Sequence, residues 1–212
     1  HAPGDVRVER IAVPTCGPAE MLVQVDACAV CGSDLKSSKV GNPRIKPPLT
    51  MGHEFTGIIR QIGDKAVAGS LKVGGRVVMA TTVSCGQCEY CRRGDLNLCP
   101  SKRVLGTQSW PGAFGEYVVV PAAAAFRLPA ALSYVQGALV EPLTVAVHVT
   151  RRAGVKAGES VAILGTGSIG CLVAAVCRER GALPIVGADV RQHCLRTAVE
   201  QCGVHHPFLL PS

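Results

Sequence analysis

Four cysteines crowd the string SCGQCEYCRRGDLNLC, at Cys85, Cys88, Cys91 and Cys99. The spacing C-x2-C-x2-C-x7-C lets a short stretch of chain wrap one ion. Four thiolates close a tetrahedron around zinc and leave no position for another ligand, so the reading is a structural zinc site. A disulfide pair, an iron–sulfur cluster and unliganded thiols are the competing uses. Gly86 and Gly94 stand where the wrapped backbone must turn. Tight clustering within a chain of 11 cysteines points to metal binding in a reducing, cytoplasmic compartment rather than to a disulfide scaffold.

Around this lobe the first part of the chain is β-rich. Residues 21–29, 55–62, 75–80 and 116–120 are short β-prone runs separated by Gly/Pro turns. From about Ser133 the pattern changes. Pro142 opens a helix that runs to Arg152 and stops at Gly154. Residues 160–164 and 184–188 then predict two buried strands, followed by helices over 168–180 and 191–202, the start of a parallel α/β sheet. The expected organisation is one domain over 1–150, carrying the lobe at 85–99, and the first part of a second over 151–212. The closing HHPFLLPS breaks the strand–helix rhythm. Two parallel strands cannot cover their own faces and edges, so the chain is expected to be a truncated fragment.

Composition excludes several classes. Hydrophobic residues at 48% against 17% charged predict a packed protein. The formal charge of +7 comes from scattered basic residues, without the clustering and interleaved aromatics of a nucleic-acid surface. No apolar run is long enough for a membrane span, and the opening residues lack the apolar core of a secretory signal.

A second set of candidate ligands is dispersed: Cys31 in VCGSD, His53 and Glu54 in MGHEF, and Glu141 in LVEPL. Each alone reads as a small buried residue, a structural histidine or a helix-start carboxylate. Farther on, Gly165, Gly167 and Gly170 form G-x-G-x-x-G between a predicted strand and a predicted helix, the context that a dinucleotide-binding loop requires. The first glycine permits the turn, the second the approach of a pyrophosphate, and the third close helix–strand packing. Ser168 and Ile169 open the helix whose N–H groups would face the phosphates. Asp189 ends the next strand, about 20 residues on, where an acid hydrogen-bonds the adenosine ribose and favours NAD over NADP. A helix cap is its alternative role, and the neighbouring Arg191 works against the NAD preference.

In order and spacing, CGSD, GHEFTGIIRQIG, the cysteine lobe, FGEYVVVP, EPLTVAVH and GTGSIG make the chain resemble the medium-chain zinc alcohol dehydrogenases, in the sorbitol (iditol) and threonine dehydrogenase branch. The resemblance implies a GroES-like catalytic domain followed by part of a Rossmann domain with an incomplete parallel sheet. It implies two zinc ions, NAD and a small alcohol or polyol substrate whose hydride passes to the nicotinamide. Cys31 and His53 then hold the catalytic zinc, with Glu54 and Glu141 at or next to it; which carboxylate is the ligand stays open. Asp34 would orient His53. Ser33 matches the hydroxyl that takes the alcohol proton, and could equally cap a helix. Lys36 stands at the outer end of the proton relay, where many relatives carry His; as a poor base at neutral pH it leaves water or the cofactor ribose as exits. Gly75 replaces a usual Asp. Trp110 and Phe114 fall in a stretch that nears the substrate cleft in relatives, with ordinary packing as the alternative. The whole protein is expected to be a homodimer or homotetramer. The rival reading is an inactive zinc-binding piece with a structural or interaction role. Cysteines 16, 28, 171, 177, 194 and 202 are expected to be buried small residues, His148 to pack its helix, and His205 and His206 to lie in an exposed tail.

Overall fold

The computed structural model describes residues 2–43 and 45–211. In chain order its elements are β1 (Glu20–Ala29), α1 (Gly32–Val40), β2 (Glu54–Ile62), β3 (Arg76–Met79), β4 (Thr82–Val83), α2 (Glu89–Arg92), β5 (Arg103–Val104), β6 (Tyr117–Pro121), β7 (Ala125–Arg127), α3 (Tyr134–Ala138), α4 (Val140–Ala153), β8 (Val161–Leu164), α5 (Ser168–Glu179), β9 (Ile185–Asp189), α6 (Gln192–Cys202) and β10 (His206–Leu209). The chain divides into two compact units between Glu141 and Pro142, inside α4 and ahead of the boundary expected after residue 150.

The first unit is a 5-stranded sheet in the order β6-β1-β2-β3-β7, antiparallel throughout. Alternate residues of these strands form the core: Met21 and Val23 of β1, Phe55 and Ile59 of β2, Val77 and Met79 of β3, Val118 and Val120 of β6. Each such side chain stabilises by about 1.5–3 kcal/mol on burial, which makes the sheet the rigid frame of the unit. Gly57 is where two backbones close in: a Cβ there would sit 2.1 Å from the carbonyl oxygen of Gln24. The register of β1 and β2 sets Ala29 opposite Glu54, so the chain leaving β1 at Cys31 comes out beside the residues entering β2. The small β4–β5 ribbon brackets the cysteine lobe and was not visible as a pattern in the sequence.

The second unit is a parallel sheet in the order β10-β9-β8 with α5 and α6 packed on it. Its core is built from small residues: Cys171, Ala174, Cys177, Ala182 and Ala198 surround Ile163, Ile185 and Val204. Two expectations are corrected here. The closing segment is a third strand, paired with β9 from His206↔Val186 to Leu209↔Asp189, and not a break in the rhythm. Pro207 is tolerated because β10 pairs on one side only among the described residues, so the missing N–H need not point at a neighbour. His205 is likewise exposed but tied down, its Nδ1 accepting from the backbone N of Ile185 at 3.0 Å. Among the described residues no helix is long and apolar enough to cross a membrane.

Candidate functional site

The lobe carries its four sulfurs on short elements: Cys85 and Cys88 before α2, Cys91 within it, and Cys99 after a single 3-10 turn. Gly86 and Gly94 hold positive φ of 75° and 88° at the turns, as the wrapped path requires. Metal–sulfur bonds of about 2.3 Å at the tetrahedral angle put sulfurs roughly 3.8 Å apart. The Cys88–Cys91 and Cys85–Cys91 sulfurs are 3.4 and 3.9 Å apart, near that spacing and far from the ~2.05 Å of a disulfide. All four ligand atoms lie within 4.8 Å of one another. Backbone N–H groups of Gln87 and Cys88 lower the Cys85 thiol to about 6, while burial and the neighbouring Cys88 push Cys91 up to about 12. Cys85 therefore loses its proton readily at neutral pH, whereas Cys91 holds its own, and a cation bound by the thiolates would displace it.

Three of the dispersed residues also converge. One ligand atom each of Cys31, His53 and Glu54 lies within 4.8 Å of the others. A thiol, an imidazole and a carboxylate at this separation fit a metal with three protein ligands. Cys31 is the N-cap of α1: its sulfur accepts from the backbone N of Ser33 at 3.5 Å, and Asp34 Oδ2 accepts from the Cys31 backbone N at 3.1 Å. The cap thus belongs to Cys31, and Ser33 lies exposed in the first turn, with Lys36 exposed further along. Asp34, 5% exposed, also places Oδ1 3.6 Å from His53 Nδ1. One carboxylate therefore steadies both the cysteine and the histidine. Without a metal, the Asp34 carboxylate raises the His53 imidazole to about 9 against the opposing effect of burial. Burial raises the Glu54 carboxyl, His53 lowers it, and the Glu141 charge raises it again.

Glu141 stands outside this three-residue group. It sits in the first turn of α4, and its Oε1 accepts from the Thr81 hydroxyl at 3.1 Å. Thr81 had no signature in the sequence; only its nearness to Glu141 in space reveals it. Trp110 is core, 1% exposed, with Nε1 donating to the Val119 carbonyl at 2.8 Å. Phe114 packs against Gly52, the residue before His53.

In the second unit, Gly165 has φ of +89°, Gly167 caps α5, and Ser168 and Ile169 form the exposed first turn. A Cβ on Gly170 would fall 1.9 Å from the Gly165 carbonyl oxygen, so only glycine brings α5 this close to the loop. Asp189 ends β9 nearly buried, and its Oδ2 accepts from the backbone N of Thr166 at 2.8 Å. The backbone N–H of Arg191, more than that of Thr166, holds the Asp189 carboxyl below its usual range. Thr166, wholly buried inside the glycine loop, is the residue that reading by glycines alone overlooked. Cys171, Cys177 and Cys194 are buried small residues as expected, whereas Cys16, Cys28 and Cys202 are only half-buried.

Comparison with known proteins places these features in context. The alcohol dehydrogenase GroES-like domain family matches residues 17–130. A sorbitol dehydrogenase of Bombyx mori is 37% identical over 203 residues, covering 94% of this chain and 58% of its own length. A D-xylulose reductase A of Aspergillus niger is 34% identical over 178 residues, or 82% of this chain and 49% of that protein. A solved structure described as a zinc-binding dehydrogenase from Sinorhizobium meliloti, bound to NADP, superposes with a TM-score of 0.90 at 36% identity. It is matched over 98% of this chain and 59% of that one. The chain thus spans between about half and three-fifths of the length of these relatives.

Proposed function

The chain belongs to the alcohol dehydrogenase family through its GroES-like domain, and from that premise we propose that it serves a zinc-dependent oxidoreductase moving hydride between a secondary alcohol or polyol and NAD. The convergence of Cys31, His53 and Glu54, braced by Asp34, is the observation that carries this reading. In it the first unit is the catalytic domain and the second begins the nucleotide-binding domain. The names of the relatives, sorbitol dehydrogenase and D-xylulose reductase, point to a polyol-like substrate.

Cys31, His53 and Glu54 would hold a zinc ion, which when bound would supply a Lewis acid toward an alcohol oxygen. The chain's own residues do the rest. Asp34 fixes the ring of His53 so that one nitrogen faces the metal site. The Cys31 backbone is pinned by the same carboxylate, which keeps the thiolate in place. Ser33 would take the alcohol proton at its hydroxyl while passing its own to water or the cofactor ribose, since Lys36 at the outer end of that path is a poor base at neutral pH. Glu141, tethered by Thr81, supplies a second carboxylate beside the site. Cys85, Cys88, Cys91 and Cys99 hold a separate, structural zinc. Gly165, Gly167, Ser168, Ile169 and Gly170 cradle the pyrophosphate, and Asp189 takes the adenosine ribose.

Two measurements test this. Elemental analysis is expected to find two zinc ions per chain; a metal-free protein would overturn both metal assignments. NADH formation with sorbitol, threonine and simple alcohols is then followed, using the chain and a form extended to the length of its relatives. Absence of NADH with every substrate in both forms would overturn the oxidoreductase reading.

A further inference from the structure

Asp189 does not present a bare carboxylate at the end of β9. Its Oδ2 accepts from the Thr166 backbone N at 2.8 Å and from the Thr166 hydroxyl at 3.4 Å. Its Oδ1 accepts from the Arg191 backbone N at 2.9 Å, and Arg191 Nε lies 3.6 Å from the same oxygen. The aspartate side chain is 5% exposed and the arginine side chain 58% exposed, so the guanidinium is the charge that solvent meets first. The same guanidinium reaches the glycine loop, where a Cβ on Gly167 would come within 3.5 Å of Arg191 Nη2. One cationic fork therefore spans the distance from the ribose-binding acid to the glycine that faces the pyrophosphate.

This arrangement alters what the subsite rejects. A solitary acid at a strand end repels a phosphate on the ribose 2′-oxygen because two anions would share one place. Here the anion is partly compensated by a neighbouring guanidinium and by two backbone N–H groups. Arg191 retains outward N–H donors in the planar geometry that suits phosphate oxygens. Its exposure means that little desolvation cost opposes the contact.

We propose that Arg191 is a specificity-determining residue that opens the adenosine-ribose subsite to a 2′-phosphate, so that the chain takes NADP as well as NAD. This rests on the nucleotide-loop reading above and extends it to the cofactor's distinguishing group.

The test uses the full chain and a matched pair of probes, adenosine 5′-monophosphate and adenosine 2′,5′-bisphosphate, titrated calorimetrically at neutral pH. The bisphosphate is expected to bind at least as tightly as the monophosphate. Arg191→Ala is expected to weaken the bisphosphate by about tenfold or more beyond any loss it causes in the monophosphate, so the ratio of the two affinities shifts by that factor. The variant keeps the backbone N–H that Asp189 uses, and Arg191 makes no side-chain cap to α6, so folding is preserved. Arg191→Lys, which keeps the charge and loses the fork, is expected to fall between the two. A wild type that binds the monophosphate and rejects the bisphosphate overturns the inference and leaves the loop reading standing, as does an unchanged affinity ratio in Arg191→Ala. Binding of neither probe overturns the loop reading and this inference with it.

Discussion

The two metal-capable clusters of the first unit are assembled by different means. The lobe draws all its ligands from residues 85–99, on elements of a few residues each, and of its cysteines only Cys99 is fully buried. The dispersed cluster joins Cys31 to His53 and Glu54 through the register of β1 against β2, beneath which the apolar core lies. In the lobe the ligands are neighbours along the chain, and the ion would organise the fold locally. In the dispersed cluster the fold comes first and the ligand geometry follows from it. The first arrangement suits a structural role and the second a preorganised site that must keep one position open.

That contrast can be broken most decisively in the lobe. Cys88→Ser is expected to empty it of metal, removing binding free energy on the order of 10 kcal/mol, and to unfold the stretch between β4 and β5. Hydrogen exchange would show lost protection there, with β1 and β2 still protected. Loss of protection across the whole sheet would show that the lobe is not the local unit described here. A smaller effect is expected from Cys31→Ser: one metal lost by elemental analysis, the lobe's metal kept, and the sheet intact.

Asp34→Asn sharpens the comparison further. With neither ligand touched, metal affinity at the dispersed site is expected to fall by about 10–100-fold, and that of the lobe to stay unchanged. The same variant has a pH signature in the chelated protein. His53 titrates at about 9 beside Asp34, above its ordinary 6.5. The stability this protonation contributes is thus fully present below about 6.5 and lost as pH rises through about 9. Urea midpoints followed across that window are expected to decline in the wild type and to flatten in Asp34→Asn. The smallest effect is expected from Thr81→Val, which removes the hydroxyl bonded to Glu141. It should cost about 1 kcal/mol of stability by thermal melting and leave two metals bound. Loss of a metal in this variant would mean that Glu141 must be tethered for the ion to bind.

Much of this was readable along the chain. The lobe's spacing, the β-prone runs of β1 and β6 and the glycines of the nucleotide loop are signals that live within a few residues, where backbone geometry alone decides what meets what. The third parallel strand was not, because its run is short and interrupted by Pro207, and pairing to β9 rather than local propensity makes it a strand.

Residue spacing by itself determined that Cys85, Cys88, Cys91 and Cys99 can surround one ion, and that Gly165, Gly167 and Gly170 mark a glycine turn between a strand and a helix. Only the tertiary structure brings Glu54 within 4.8 Å of Cys31 and His53, lets Asp34 meet both of them, and sets Arg191 between Asp189 and the glycine loop. The physical reason is strand register and helix packing. They bring together side chains remote in sequence, and a hydrogen bond or an ion pair depends on separations that no local pattern encodes.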